Sequence, residues 1–284
     1  MRLTQLETGQ KPMAQTNNLE KIIDKELSIQ ISLSGLSFCI LQPDTQTISH
    51  LKHIDFDKKL SPFEVLNQLK STFETEMALN DSFKNTYVIH VNELSALVPK
   101  PLFQEDCLAD YLKFNTKILK SDFITYDTIA SNDSVNVYVP YVNINNYIYE
   151  KFGAFTFKHF STVLIEQILS IEKNAETEKV YAHLGSNHFE IVVVNKGALQ
   201  LYNTFEYATS EDFIYYLLFA AEQLGLNPET FNLVLIGDVV KDDAIHAIAY
   251  KYIRHVSFGN RFDNYTYQTA PKTNYSDFTL IKNF

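Results

Sequence analysis

The residues best equipped for chemistry fall at two predicted turns and one strand end. Ser32, Ser34 and Gly35 close a turn between two apolar strands, and His183, Gly185 and Ser186 close a second. The Gly185-Ser186-Asn187 turn has a shape that presents backbone N–H groups. The Gly185-Ser186-Asn187 stretch is equally a good hairpin turn on its own account. Gly237 and Asp238 end the apolar run Leu233–Ile236 where a strand hands over to a helix, so Asp238 suits an N-cap as well as a ligand.

The other candidates carry less chemistry. His50 and His53 are three apart on a predicted strand, point to opposite faces and cannot share an ion. His183 and His188 flank the second turn without an evident third ligand, so no metal site is expected. His159 reads as a helix cap or interface residue, and His90, inside a core strand, as a satisfied buried histidine. Glu211-Asp212 lie in a helix first turn, where the helix dipole accounts for them. There is no Gly-x-Ser-x-Gly elbow, Walker A loop or dinucleotide glycine fingerprint.

Length and composition narrow the class. The chain has 284 residues, 45% of them hydrophobic, which supports one large or two medium globular units. A formal net charge of −10 repels phosphate backbones and anionic lipid, so nucleic acid and membrane are not expected as partners. Cys39 and Cys107 are far apart and give no disulfide framework, which fits a reducing compartment. Met1–Asn18 is polar and lacks the apolar core of a signal peptide, so a cytoplasmic location with a flexible start is expected.

The elements that position the two turns repeat. Leu27–Leu33, Phe38–Leu41 and Thr47–Phe56 read as strands, followed by a helix that Ser61, Pro62 and Glu64 start, then a strand at Tyr87–Val91. Val180–Leu184, Phe189–Val194 and Leu199–Tyr207 repeat the strands, with a helix from Thr209 or Ser210 and a strand at Leu233–Ile236. At a constant offset of 151 the first three strands align without a gap: Ile29 meets Val180, Phe38 meets Phe189, Ile48 meets Leu199. Phe213–Ala221 is apolar all round, which predicts a helix buried on more than one side. Between the copies the pattern predicts a strand at Ala96–Pro99, a helix from Leu102 to Phe114, strands at Phe123–Thr128 and Val135–Val139, and a Tyr-rich helix over Tyr141–Phe152. A strand at Ala154–Phe157 and a helix over Phe160–Ile171 then feed the second copy. Tyr141, Tyr147 and Tyr149 suit a recognition surface or the inner face of an amphipathic helix.

Three strands, a helix and a fourth strand, present twice with a helix feeding the second copy, resemble the actin-like ATPase superfold of actin, heat-shock 70 chaperones and sugar kinases. Within it the chain is similar to a bacterial family of uncharacterised proteins, on Ala96-Leu97-Val98-Pro99 with Leu102-Phe103, Ile236-Gly237-Asp238, and Lys251-Tyr252-Ile253-Arg254 with Val256 and Phe258. The resemblance implies an α/β fold of duplicated βββαβ units, ribonuclease H-like lobes in an actin-like architecture. Active members carry an Asp at each first hairpin, with a Gly two residues later, to serve metal and phosphate. The offset puts Ser32 and Ser34 at those positions in one lobe, and His183 and Gly185 in the other. Both aspartates are absent, and serine is a poor Mg²⁺ ligand beside a carboxylate. Of the glycine pair that lets adenosine pack on backbone, one survives as Gly237, followed by Asp238. Phe160-Ser161-Thr162-Val163-Leu164 is bulkier than the family's hinge helix and argues against a large hinge motion.

The resulting expectation is a flexible segment over 1–24, a first lobe over 25–158 with an insertion near 95–140, and a second lobe over 159–284. Function is expected to be that of a catalytically degenerate module, a protein-interaction scaffold with weak ligand binding between the lobes at Ser32, Ser34, Gly35, His183, Gly185, Ser186, Gly237 and Asp238. No cofactor is expected, ATP with Mg²⁺ being the ligand to test, and the partner is another protein or a second copy of the chain. The rival is an active ATPase or phosphotransferase that uses His183, Asp238 or Glu93 instead of the missing aspartates.

Overall fold

Period-two apolar patterning produces the first sheet directly. The computed structural model describes residues 24–114 and 116–284, so the expectation for the first 23 residues lies outside the described part. In β1 (Glu26–Ile31), Leu27, Ile29 and Ile31 are fully buried. The strand pairs antiparallel with β2 (Gly35–Gln42), which pairs with β3 (Thr47–Asp55). Ser61 caps α1 (Pro62–Thr75) in a reciprocal capping box with Glu64, and Val65, Leu69 and Phe73 face the sheet. β4 (Asn85–His90) then lies parallel to β1.

The insertion is a separate small layer. β5 (Ser95–Pro99), β6 (Thr125–Ile129) and β7 (Ser134–Tyr138) form a three-stranded sheet in the order β5-β7-β6, with α2 (Leu108–Leu112) between β5 and β6. The helix expected from Leu102 to Phe114 shrinks to α2, with 3₁₀ turns before it. The Tyr111 hydroxyl donates to the Leu102 carbonyl and accepts from the Gln104 N–H, and Phe103 packs between Tyr111 and Tyr126. Those contacts need a bent backbone where the pattern alone predicts a straight helix.

The chain returns through α3 (Val142–Phe152) and β8 (Thr156–His159), the strand beside β4. It then enters α4 (Phe160–Ile171), buried over Phe160–Ile165 and capped by the His159 imidazole. Asp127 of the insertion accepts hydrogen bonds from the His159 N–H (2.9 Å), Thr162 Oγ1 (2.7 Å) and Tyr138 (3.0 Å). Asn136 donates to Ser161 and Thr162 at 2.9 Å each. This buried polar network fixes the insertion to the helix that joins the lobes.

The second lobe repeats the programme. β9 (Lys179–Leu184), β10 (His188–Asn195), β11 (Ala198–Glu206), α5 (Ser210–Gln223), β12 (Asn232–Gly237), α6 (Ala244–Tyr252) and β13 (His255–Phe258) follow in turn. The sheet order is β11-β10-β9-β12-β13, matching β3-β2-β1-β4-β8 in the first lobe. The stretch expected to end the second lobe crosses back: β14 (Thr266–Tyr267) pairs with β3, and α7 (Phe278–Lys282) packs on β1, β2 and α4. Leu280 and Ile281 close a core there with Cys39, Leu41 and Ile48.

Two sequence expectations need correction. The constant offset of 151 holds for β3 and β11, which start at Thr47 and Ala198, but not for the hairpin before them. β1 and β9 start at Glu26 and Lys179, and β2 and β10 at Gly35 and His188, both 153 positions apart. The difference is a turn: a 3₁₀ turn at Pro43–Thr45 links β2 to β3, while Lys196-Gly197 alone links β10 to β11. A slip of two preserves inward and outward alternation, so the apolar match survives the wrong register. Secondly, α5 is not buried all round. Phe213, Ile214 and Leu217 face the core, but Tyr215 is 62% and Phe219 47% exposed, because the helix lies on the outer face of the sheet with α6 at its flank.

Candidate functional site

The two hairpins and the start of α7 enclose one cavity of about 130 Å³. Ser32, Ser34, Gly35, His183, Gly185, Ser186, Gly237 and Asp238 all line it. It also takes in Gln30, Ser37, His53, Lys272, Asp277 and Thr279, which the sequence reading missed. His53 was legible in principle, since it pairs with Ser37 across β2 and β3. Asp277 and Thr279 come from the far end of the chain and carry no motif.

The polar groups of the first hairpin are turned inward. The Ser34 N–H donates to Ser32 Oγ at 3.1 Å, and the Ser32 N–H to the Gly35 carbonyl at 3.0 Å. In the second hairpin the Gly185 N–H donates to the His188 carbonyl at 2.9 Å. With the 153 register, Gly185 stands opposite Ser32 and Asn187 opposite Ser34, while His183 matches Gln30. His183 therefore does not occupy the position of a hairpin aspartate, and neither corresponding position holds a carboxylate.

The glycines answer to packing. A Cβ on Gly35 would lie 2.7 Å from the Ile54 carbonyl, and one on Gly185 2.9 Å from the His188 ring. Gly237 has φ +86°, and a Cβ there would lie 2.4 Å from the Leu184 carbonyl. That close approach lets the Asp238 N–H donate to Leu184 O at 2.8 Å. Asp238 is not an N-cap. α6 starts seven residues after Gly237 and is capped by Asp243, whose carboxylate accepts from the His246 N–H at 2.7 Å.

Two histidine–carboxylate groups flank the cavity. His53 Nε2 lies 2.7 Å from Asp277 Oδ1, and His53 Nδ1 lies 2.9 Å from Ser37 Oγ. The hydrogen bond to Asp277 raises the His53 pKa against the effect of burial, with the charges of Asp277 and Asp238 adding to it. Burial pushes the Asp277 carboxyl up, but bonds from His53 and Ser276 and the charge of Arg261 outweigh it and hold it below its ordinary value. On the other side, buried Glu190 lies between His183 Nδ1 (3.0 Å) and His188 Nε2 (3.3 Å). Among the described residues no group of three or more His, Cys, Asp or Glu is placed to hold a metal ion. Glu93 lies in a second, smaller cavity and pairs with Lys59 at 3.7 Å.

Mg²⁺–nucleotide does not fit these residues. Both hairpin carboxylates are missing, the N–H groups of Ser32, Ser34 and Gly185 have internal acceptors, and about 130 Å³ falls well short of the roughly 300–1,000 Å³ typical of ligand pockets. No helix among the described residues is long and apolar enough to cross a membrane.

Residues 14–256 match the protein family described as "Protein of unknown function (DUF3822)". The chain belongs to the DUF3822 family. No curated protein matches its sequence. Among solved structures, this DUF3822 chain is similar to a Bacteroides thetaiotaomicron protein with an actin-like ATPase fold and unknown function. The two share 26% identity over 87% of this chain and 95% of that one, with a TM-score of 0.76. A structure of the PilM–PilN type IV pilus biogenesis complex matches at 8% identity over 90% and 96%, TM-score 0.59. The ethanolamine utilization protein EutJ from Carboxydothermus hydrogenoformans matches at 7% over 93% and 92%, TM-score 0.50. The fold of this family member is thus a mixed α/β actin-like ATPase fold with a sheet in each lobe.

Proposed function

We propose that this protein is a catalytically degenerate actin-like module that acts as a protein-interaction scaffold. The observation that carries the reading is how the cleft is occupied by the chain itself. The N–H groups of Ser32, Ser34 and Gly185 bond internally, Gly237 receives the Leu184 carbonyl, and Asp277 and Thr279 of the last segment bond His53 and Gln30. What remains is polar and small, suited to a weakly held ion or small molecule at Ser34, His183 and Asp238 rather than to a nucleotide. The fold relative named for the PilM–PilN complex is a protein found in an assembly, which agrees with a scaffold role.

Thermal unfolding with and without millimolar Mg²⁺–ATP tests the reading. A ligand at ~100 times its dissociation constant adds about 2.7 kcal/mol, which raises the midpoint of a chain this size by roughly 5–10 °C. The expected outcome is no shift. A shift accompanied by Mg²⁺-dependent turnover that Asp238→Asn abolishes would replace the scaffold with an ATPase or phosphotransferase.

A further inference from the structure

Each lobe's sheet has its own inner cover, α4 in the second and the chain's last residues in the first. In the first lobe the inner face of the sheet is covered by the chain's end. Thr279 Oγ1 donates to Gln30 at 2.8 Å, and Phe284 packs edge-on against Tyr87 of β4 with ring centroids 6.1 Å apart. The β4 residue Tyr87 corresponds to Val234 of β12, since these strands start at Asn85 and Asn232. Val234 is itself only 7% exposed and packs in the second lobe's core. It pairs with Tyr181 on one side and Ser257 on the other, and this row floors an open groove of about 910 Å³. The end of α4 forms one wall, and the loop Gly259–Phe262 with Lys282 forms the other.

The loop wall is built to present a ring. Arg261 is 2% exposed, and its guanidinium donates to the Thr273 carbonyl (2.9 Å), the Ser276 carbonyl and Asp263 (2.8 Å). The next residue, Phe262, has φ +51°, rare for a bulky side chain, and its N–H is held by Asn260 Oδ1 at 2.7 Å. Its ring is 65% exposed at the groove mouth. Strain of this kind persists where the surroundings over-determine it, commonly at ligand contacts. Phe262 and Lys282 also line a neighbouring cavity of about 240 Å³, so they stand where the two meet.

Charge selects the occupant. The chain carries −10 overall, yet the groove's charged side chains are Lys179, Lys282 and Glu172, and Glu172 is buried against Lys179 (2.9 Å) and Tyr181. Lys282 takes part in no ion pair among the described residues, which leaves a cation at the rim beside an exposed ring. We propose that this groove docks a short segment of a partner protein, one bearing an aromatic or large apolar residue and a carboxylate. The site is distinct from the polar cavity at the hairpins, and it rests on the scaffold reading only in taking a protein as partner.

Selection of phage-displayed random twelve-residue peptides on the full-length chain tests it, with the enriched sequences synthesised and bound in solution by fluorescence polarisation. The expected result is an enriched pattern pairing aromatic with acidic residues, with affinity at least about tenfold weaker on both Phe262→Ala and Lys282→Glu. No enrichment, a basic pattern, or affinity unchanged by both variants would overturn the proposal. So would a dimer in sedimentation that Phe262→Ala dissociates, since it would assign the groove to a second copy. Mg²⁺–ATP turnover would end the scaffold reading and leave the peptide result standing on its own.

Discussion

Acid should unfold this protein through two adjacent histidines. His90 and His159 pair across β4 and β8, both are fully buried, and each ring is held as a neutral hydrogen-bonding group. His90 Nε2 meets Asn145 Oδ1 at 2.9 Å, and His159 Nε2 donates to the Asn92 carbonyl at 3.1 Å. Burial lowers the His90 pKa to about 4. Burial, with the neighbouring His90, lowers that of His159 to about 3. Unfolding restores both to the ordinary histidine value of 6.5. The unfolded chain therefore binds protons that the folded chain refuses, and stability falls as pH drops below about 6.5. At pH 5 the unfolded histidines sit about 1.5 units above ambient pH while the folded ones remain neutral. That costs about 2 kcal/mol each, about 4 kcal/mol together. His53 opposes the trend, because its raised pKa adds stability on the acid side. Asp277, with its lowered pKa, loses stability only at still lower pH. The assay is urea unfolding followed by far-UV circular dichroism at pH 7.5, 6 and 5, on the wild type and on His90→Gln. Glutamine keeps a donor for Asn145 but cannot titrate. The variant should lose about 2 kcal/mol less than the wild type between pH 7.5 and 5. Equal losses in the two proteins would refute the reasoning.

Three further outcomes follow from the geometry. Gly237→Ala forces a Cβ toward the Leu184 carbonyl at a left-handed φ and should cost about 3 kcal/mol, read as a lower thermal midpoint. Asp277→Asn removes the charge that raises the His53 pKa. In the wild type that contribution is complete below pH 6.5 and is lost as pH rises through the raised His53 value, so the variant's thermal midpoint should vary less over pH 6–9. Leu280→Ala opens the core around fully buried Cys39. It should cost about 3 kcal/mol and speed thiol labelling of Cys39, while labelling of the partly exposed Cys107 stays unchanged.

The fold was legible because its signals are local. The Ser61–Glu64 box, the alternation in β1 and the apolar face of α4 each specify an element without reference to distant residues. The register between the copies was not, because a two-residue slip leaves the inside–outside pattern unchanged and only the turn lengths at Pro43–Thr45 and Lys196-Gly197 betray it. The eight cavity residues were found because they sit at strand ends. His53, Lys272 and Asp277 escaped because topology, not spacing, brings them there. Tyr215 and Phe219 misled in the opposite sense: an apolar run identifies a helix but does not say how many neighbours it will have.

The return of β14 and α7 to the first sheet has a consequence for how the protein is made. Domains emerge from the ribosome in sequence order and fold as they appear. Here the lobe synthesised first lacks its outermost strand and one of its inner helices until residues 266–284 are released. Until then Cys39, Leu41 and Ile48 have no lid, and the second core lacks Tyr275 and Phe278. Nascent chains stalled before Thr266 should therefore hold two lobes whose cores are still open to the segment not yet made.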